Sequence, residues 1–298
     1  MTAAVRTVLG DIPGPDLGLC DAHNHLFLSS PRLPGQELDG FEDAEAGLRS
    51  FAGAGGGTVV QWTPYGMGRR SGALVELSRR TGVHLVAATG LHQARHYAEG
   101  SAWDVDGLAE LFTGELTRGV RGAACGEAPR AGLIKVADGP QGLDAHARRT
   151  HRAAARAHHA TGAPIAVHLE RGTGGTDVLA LLCGELDVPP HRVLLGHLGR
   201  CPDPRTQREA ARSGAWLAFD GPSAPRLLDS LAALAEAGHG DRLLVGGDLT
   251  TYEAHREHGL RHLPGALRTH LERRLGAKAA DQILRRNPSA AFAADWRP

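Results

Sequence analysis

Lysine is almost missing from this chain. Of 33 cationic side chains only Lys135 and Lys278 are lysines, and every other one is an arginine. Aromatic residues make up only 4%, and the 17 histidines outnumber them. There is no charge excess either: 33 cationic groups meet 33 acidic ones. That balance argues against a general nucleic-acid binder, which carries a basic surplus. No apolar run approaches the roughly 18 residues that a membrane helix needs. The opening segment MTAAVRTVLGDIPG has no apolar stretch of the secretory kind, so a cytoplasmic location is expected. The four cysteines, Cys20, Cys125, Cys183 and Cys201, never fall in CxxC spacing. In a chain of this size they read as reduced thiols rather than a disulfide frame.

What is present is a repeated alternation. Short apolar runs fall at 18–23, 58–61, 84–89, 133–136, 165–168, 193–196, 215–219 and 243–247. Their continuous hydrophobicity predicts strands buried on both faces. Segments rich in Ala, Leu, Arg and Glu lie between them with helical periodicity, as at 143–161, 176–185, 204–213 and 225–237. Gly162, Gly214 and Gly238 stand where a helix C-terminus favours a positive φ. Eight strand–helix units in 298 residues predict one (β/α)8 TIM barrel spanning 1–298, with helices over 264–292 closing the outer ring. A doubly wound open sheet would show a glycine-rich phosphate turn after its first strand, and none is there.

In such barrels chemistry sits where the strands end. The first strand ends in His23-Asn-His25, two imidazoles whose alternate spacing puts them on one side of extended chain. The fourth carries Lys135 inside an apolar run. Burying an unpaired ammonium is costly. A chain that writes its ordinary cations as arginine has placed here the one cation that burial can neutralise. A neutral amine can add CO2 to become a carbamate, an anionic ligand with two oxygens. The fifth and sixth strands end in His168 and His197, and the eighth ends Gly-Gly-Asp248. Taken singly, each has an ordinary reading: loop histidines, a buried lysine–acid pair, a capping aspartate. A closed barrel brings all six to one mouth, which reads as a metal site.

This ordered series resembles the amidohydrolase superfamily, and within it the phosphotriesterase family with its phosphotriesterase-like lactonases. The most specific local match is Arg130-Ala-Gly-Leu-Ile-Lys-Val-Ala137. Arg6-Thr-Val-Leu-Gly10, Gly196-His-Leu-Gly199, Asn287-Pro288 and Phe292 support it. The resemblance implies two divalent ions, Zn2+ first and Mn2+ or Co2+ as alternatives. His23, His25 and Asp248 would hold the buried ion, and His168 and His197 the exposed one. Carboxylated Lys135 would bridge them, and Asp248 would handle the proton. It further implies hydrolysis of a small lactone or carboxylic ester, with organophosphate triesters as a side activity. Phosphotriesters as the main substrate, hydrolysis of an acyclic amide or amidine, and a catalytically inactive metal-binding barrel are the alternatives. The family often forms homodimers, although no feature of this sequence marks an interface.

Some positions depart from the family pattern. A tyrosine is often found just past the third strand; here the segment is Ala88-Thr-Gly-Leu-His92, so His92 or Tyr97 is expected to take that place beside the substrate. Arg200 stands where an acid is common, and Asp21 and Asn24 replace a Thr and a Glu. The loop 249–263, with Tyr252, His255, Arg256, His258, Arg261 and His262, is the expected specificity element, Arg256 gripping an anionic group. Asp220 and the loops 26–40 and 91–103 are further candidate walls.

Overall fold

The computed structural model describes residues 3–98, 103–121, 128–139, 141–201, 203–221 and 224–297, the side chains of 224 and 225 excepted. Cys125 and the 99–102 part of the third-strand loop lie outside the described residues. Eight parallel strands form the barrel: β1 (Leu19–Asn24), β2 (Gly56–Gln61), β3 (His84–Val86 and Ala88–Thr89), β4 (Leu133–Ala137), β5 (Ile165–His168), β6 (Val193–Gly196), β7 (Trp216–Asp220) and β8 (Leu243–Gly246). β1, β2 and the first part of β3 pair in that order, and the second part of β3 pairs onward through β4 to β8. β3 is interrupted at Ala87, where Arg69 reaches in to donate to the carbonyl of Ala88 at 3.0 Å and to Glu115 at 2.7 Å. The ring closes between β8 and β1, with Asp248 N–H donating to the carbonyl of His23 at 2.9 Å.

Alternation along each strand sorts the side chains into two cores. Ile134, Val136, Ile165, Val167, Leu217, Phe219, Leu243 and Val245 face outward under the helices. Cys20, Ala22, Leu133, Ala166, Leu194, Trp216, Ala218 and Leu244 fill the interior with Val60, Trp62 and Val86. Stepping two residues beyond Leu133, Ala166 and Ala218 gives Lys135, His168 and Asp220. The strand period therefore carries these polar groups to the top of the interior.

The seam between β8 and β1 depends on Gly246. A Cβ there would meet the backbone N and O of His23 at 2.6 Å each. Gly90 does the same service for β4: its φ is +104°, and a Cβ would lie 2.0 Å from the carbonyl oxygen of Lys135.

The helices are built from ordinary local rules. α1 (Phe41–Gly53), α2 (Ser71–Thr81), α3 (Val105–Thr117) and α4 (Ala145–Thr161) cover the first half of the ring. In α4, the Asp144 carboxylate accepts the N–H of Ala147 at 2.8 Å, and Gly162 ends the helix at φ 82°. The expected helix 176–185 starts α-helical at Gly175–Leu179 and widens to a π-helix over Ala180–Glu185. Helical segments run from Leu263 to Phe292. The last, Asn287–Phe292, does not join the outer ring. It turns beneath the barrel, where Asn287 donates to the carbonyls of Gly240 at 2.9 Å and Leu243 at 2.7 Å and Phe292 plugs the interior with Leu17 and Val5.

Candidate metal centre

At the mouth of the barrel, each imidazole is oriented through one nitrogen. His23 Nδ1 is 2.9 Å from Asp220 Oδ2, and His197 Nδ1 is 2.8 Å from Asp220 Oδ1. A carboxylate only accepts, so both rings carry hydrogen on Nδ1 and turn an Nε2 lone pair away from Asp220. His25 Nδ1 is 2.8 Å from Thr63 Oγ1, whose hydroxyl donates to the carbonyl of Phe27 at 2.6 Å. The Thr63 oxygen therefore accepts, and His25 also presents a bare Nε2. The Nε2 atoms of His23 and His25 lie 3.4 and 3.5 Å from Asp248 Oδ1. Trp62 stacks on His23 with ring centroids 3.8 Å apart and fixes its plane.

The second corner is more telling. His197 Nε2 faces His168 Nδ1 at 2.7 Å. His168 Nε2 is 3.5 Å from the Glu170 carboxylate, too far for a hydrogen bond, and is buried without a hydrogen-bond partner. His197 carries its hydrogen on Nδ1, so its Nε2 accepts and His168 Nδ1 donates across this contact, which leaves His168 Nε2 as the bare nitrogen of that ring. Among the described residues, His23, His25 and Asp248 bring ligand atoms within 4.8 Å of one another, as do His23, His197 and Asp220. In the second group both Asp220 oxygens are engaged by Nδ1 atoms, so Asp220 orients the rings that would ligate.

Electrostatics keep the set ready to ligate. Burial drives His23 down to about 4 and drives His168 well below the ordinary imidazole range. Burial lowers His25 as well, against the pull of Asp248. These rings are neutral, as ligands must be. Burial opposes charge on His197, but the nearby Asp220 and Asp248 outweigh it and raise its pKa. Burial alone would raise Asp248; the neighbouring His23, His197 and His25 instead hold it well below the usual carboxylate range. Lys135 is 2% exposed, and among the described residues no side chain makes a hydrogen bond or ion pair to its amine. Burial lowers it to about 7, with only the charge of Asp248 pulling the other way. The donor set thus fits divalent cations: three neutral imidazoles, a fourth on His197 that Asp220 and Asp248 keep more basic, a carboxylate and an amine that can shed its proton.

The cavity over these groups has a volume of about 230 Å3. His23, His25, Lys135, His168, His197 and Asp248 all line it, so the six residues read from the sequence meet in one pocket. His92 lines it too, its ring 4.6 Å from those of His168 and His96. Leu28, Leu33 and Gln36 from the first loop and Arg95 and His96 from the third add to the walls.

Two expectations need correction. Tyr97 is not on the pocket. It sits behind it, its hydroxyl accepting the His92 N–H at 2.7 Å and donating to the carbonyl of Tyr65 at 3.1 Å. Arg256 is not on it either. It borders a neighbouring cavity of about 800 Å3 with Asp43, Thr251, Tyr252 and Glu253. The loop folds outward there because His255 Nε2 bonds the carbonyls of His25 at 2.9 Å and Leu249 at 3.2 Å, while Tyr252 anchors on Asp39 at 2.9 Å. Of that loop only Thr250 reaches the pocket.

The departures at Asp21 and Asn24 have a structural meaning. Asp21 accepts the N–H of Gly247 at 3.0 Å, and Asn24 accepts the N–H groups of His25 at 2.8 Å and Leu249 at 3.1 Å. The pair fastens β8 to β1.

Asp220 is the residue whose importance the sequence understated. The readable signal was an acid in register with inward-facing Ala218. Asp220→Asn should weaken metal binding about 10- to 100-fold, because the amide cannot accept from both rings. Chelator competition reads this, and unchanged affinity would remove Asp220 from the account.

Fold and site together define a class: a (β/α)8 barrel with candidate metal ligands at its strand ends. The chain matches the family model described as the phosphotriesterase family over residues 3–292, and it belongs to that family. A phospho-furanose lactonase of Mycoplasmopsis agalactiae is 29% identical over 77% of this chain and 70% of its own. An N-acetyltaurine hydrolase of Danio rerio is 26% identical over 95% of this chain and 96% of its own. Among solved structures, a lactonase from Listeria monocytogenes superimposes with a TM-score of 0.89 at 25% identity, covering 97% of this chain and 98% of that one.

Proposed function

We propose that this protein is a binuclear metal-dependent hydrolase whose main substrates are lactones or related carboxylic esters. The observation that carries it is the convergence of four imidazoles and the Asp248 carboxylate on one cavity with the buried Lys135. His23, His25 and Asp248 would hold one ion, and His168 and His197 the other. Lys135, as its carbamate, would bridge them. When bound, two divalent ions, Zn2+ first with Mn2+ or Co2+ as alternatives, would supply hydroxide near neutral pH and polarise the carbonyl or phosphoryl oxygen. Asp248 takes the proton of the attacking oxygen and passes it to the leaving oxygen. His92, Arg95 and His96 wall the cavity beside these groups, where the substrate would sit.

The lactonase names among the relatives favour lactones over phosphotriesters; a tetrahedral phosphorus centre resembles ester attack closely enough for a side activity. A second reading, amide hydrolysis, is favoured by the N-acetyltaurine hydrolase, with which alignment is nearly end to end.

The test is metal analysis together with a panel of lactones, aryl esters, neutral phosphotriesters and N-acyl amides. Lactones are expected to exceed triesters by at least about tenfold in kcat/KM, with all activity lost to chelator. Full metal occupancy with no turnover of any class would instead mark a binding barrel.

A further inference from the structure

We infer that Arg200 is a specificity-determining residue that selects substrates bearing an oxyanion, a phosphate or a carboxylate, beside the scissile bond. The inference rests on the hydrolase reading above and sharpens its substrate class.

Arg200 follows His197 by three residues in a tight turn. His197 holds a left-handed φ of 62°, and the turn packs on Gly172, where a Cβ would meet the carbonyl oxygen of His197 at 2.4 Å and the nitrogen of Cys201 at 2.7 Å. The backbone under Arg200 is therefore fixed. Its side chain reaches back over the pocket and is 48% exposed. One end of the guanidinium, Nη2, contacts Asp248 Oδ2 and stands 3.9 Å from Asp220 Oδ1. Among the described residues nothing bonds its Nε or Nη1. One edge is anchored, and the other is offered to the cavity.

The two oxygens of Asp248 divide the labour. Oδ1 faces His23 and His25, and Oδ2 faces Arg200. Ligation through Oδ1 leaves the arginine contact in place. A guanidinium held this way loses little freedom when it binds, and its planar fork matches the paired oxygens of phosphate or carboxylate. Arg95 also lines the cavity, from the third-strand loop rather than the sixth, and is tied only loosely, 3.5 Å from Glu170. A neutral triester gains nothing from either cation, whereas an anionic lactone or ester gains from both.

The experiment uses the metal-loaded protein and three matched lactones carrying a phosphomonoester, a carboxylate or a neutral hydroxyl. The wild type should favour an anionic member at least about tenfold, with the advantage shrinking as salt rises. Arg200→Gln should cost that member about 10- to 100-fold, chiefly in KM, and leave the neutral one within about threefold. Arg200→Lys should recover part of the loss. The arm that loses more tells phosphate from carboxylate. Arg256→Ala should change nothing. Equal losses on all three through kcat would mean that Arg200 merely shields Asp248, and the proposal would fall. So would a wild type indifferent to charge. If no lactone is turned over, the hydrolase reading fails on its own; calorimetric binding of inorganic phosphate to wild type and Arg200→Gln then decides, unchanged affinity overturning the proposal. If Arg200→Gln does not fold, Arg95→Gln and the wild-type salt dependence decide in the same way.

Discussion

Lys135→Met should abolish activity, by about a thousandfold or more, and at the same time make the chelated protein more stable. The two effects share one cause. In the unfolded chain the amine titrates near its ordinary 10.5, and in the folded chain near 7. Between those values the unfolded state binds a proton that the folded state does not, so stability rises with pH across that window. The cost of burying the unmodified amine is thus fully present below about pH 7 and gone above about 10.5. It amounts to a few kcal/mol, and methionine removes it while keeping the volume. Thermal melts in chelator at pH 7 should show Tm raised by several degrees, with the gain vanishing toward pH 10.5. Metal analysis of the same variant should show the bridge lost and rates collapsed. A destabilised variant, or one that keeps its ions and activity, would refute the bridging role.

Asp248→Asn should lower kcat by about 10²- to 10⁴-fold at saturating metal, with a small change in KM. The substitution keeps the shape but removes the charge facing His23 and His25 and the proton acceptor. Because neighbouring charges hold the acid well below its usual range, the wild type should keep this carboxylate ionised throughout the working pH range, and acid inactivation should come from ligand imidazoles. Steady-state rates under metal titration check it. A variant within about fivefold of wild type would assign the proton to another group.

Much of this was legible because barrel strands obey a period of two. Inward-facing Leu133 and Ala166 predict the aim of Lys135 and His168, and the strand ends at His168 and Gly196 fall where the apolar runs stop. The scarcity of lysine gave the buried amine its meaning. What the sequence hid are contacts between distant segments. Asp220 lies 197 residues from His23, and no local rule reports that one carboxylate serves two rings. Arg256 was misplaced for the same reason: a cationic loop after β8 says nothing of the His255 bonds that swing it away. Tyr97 was assigned by proximity in the chain, but its hydroxyl was already committed to the backbone of its own loop and of Tyr65.

The fastening of the final stave to the opening one also bears on synthesis. The donors at Gly247, Asp248 and Leu249 meet acceptors at Asp21, His23 and Asn24, which interleave with the candidate ligands His23 and His25. Completing the ring and completing the candidate ligand set therefore draw on the same contacts. A chain still short of its last sixth has the histidines and Asp220 that orients two of them, but not the Asp248 carboxylate that faces His23 and His25.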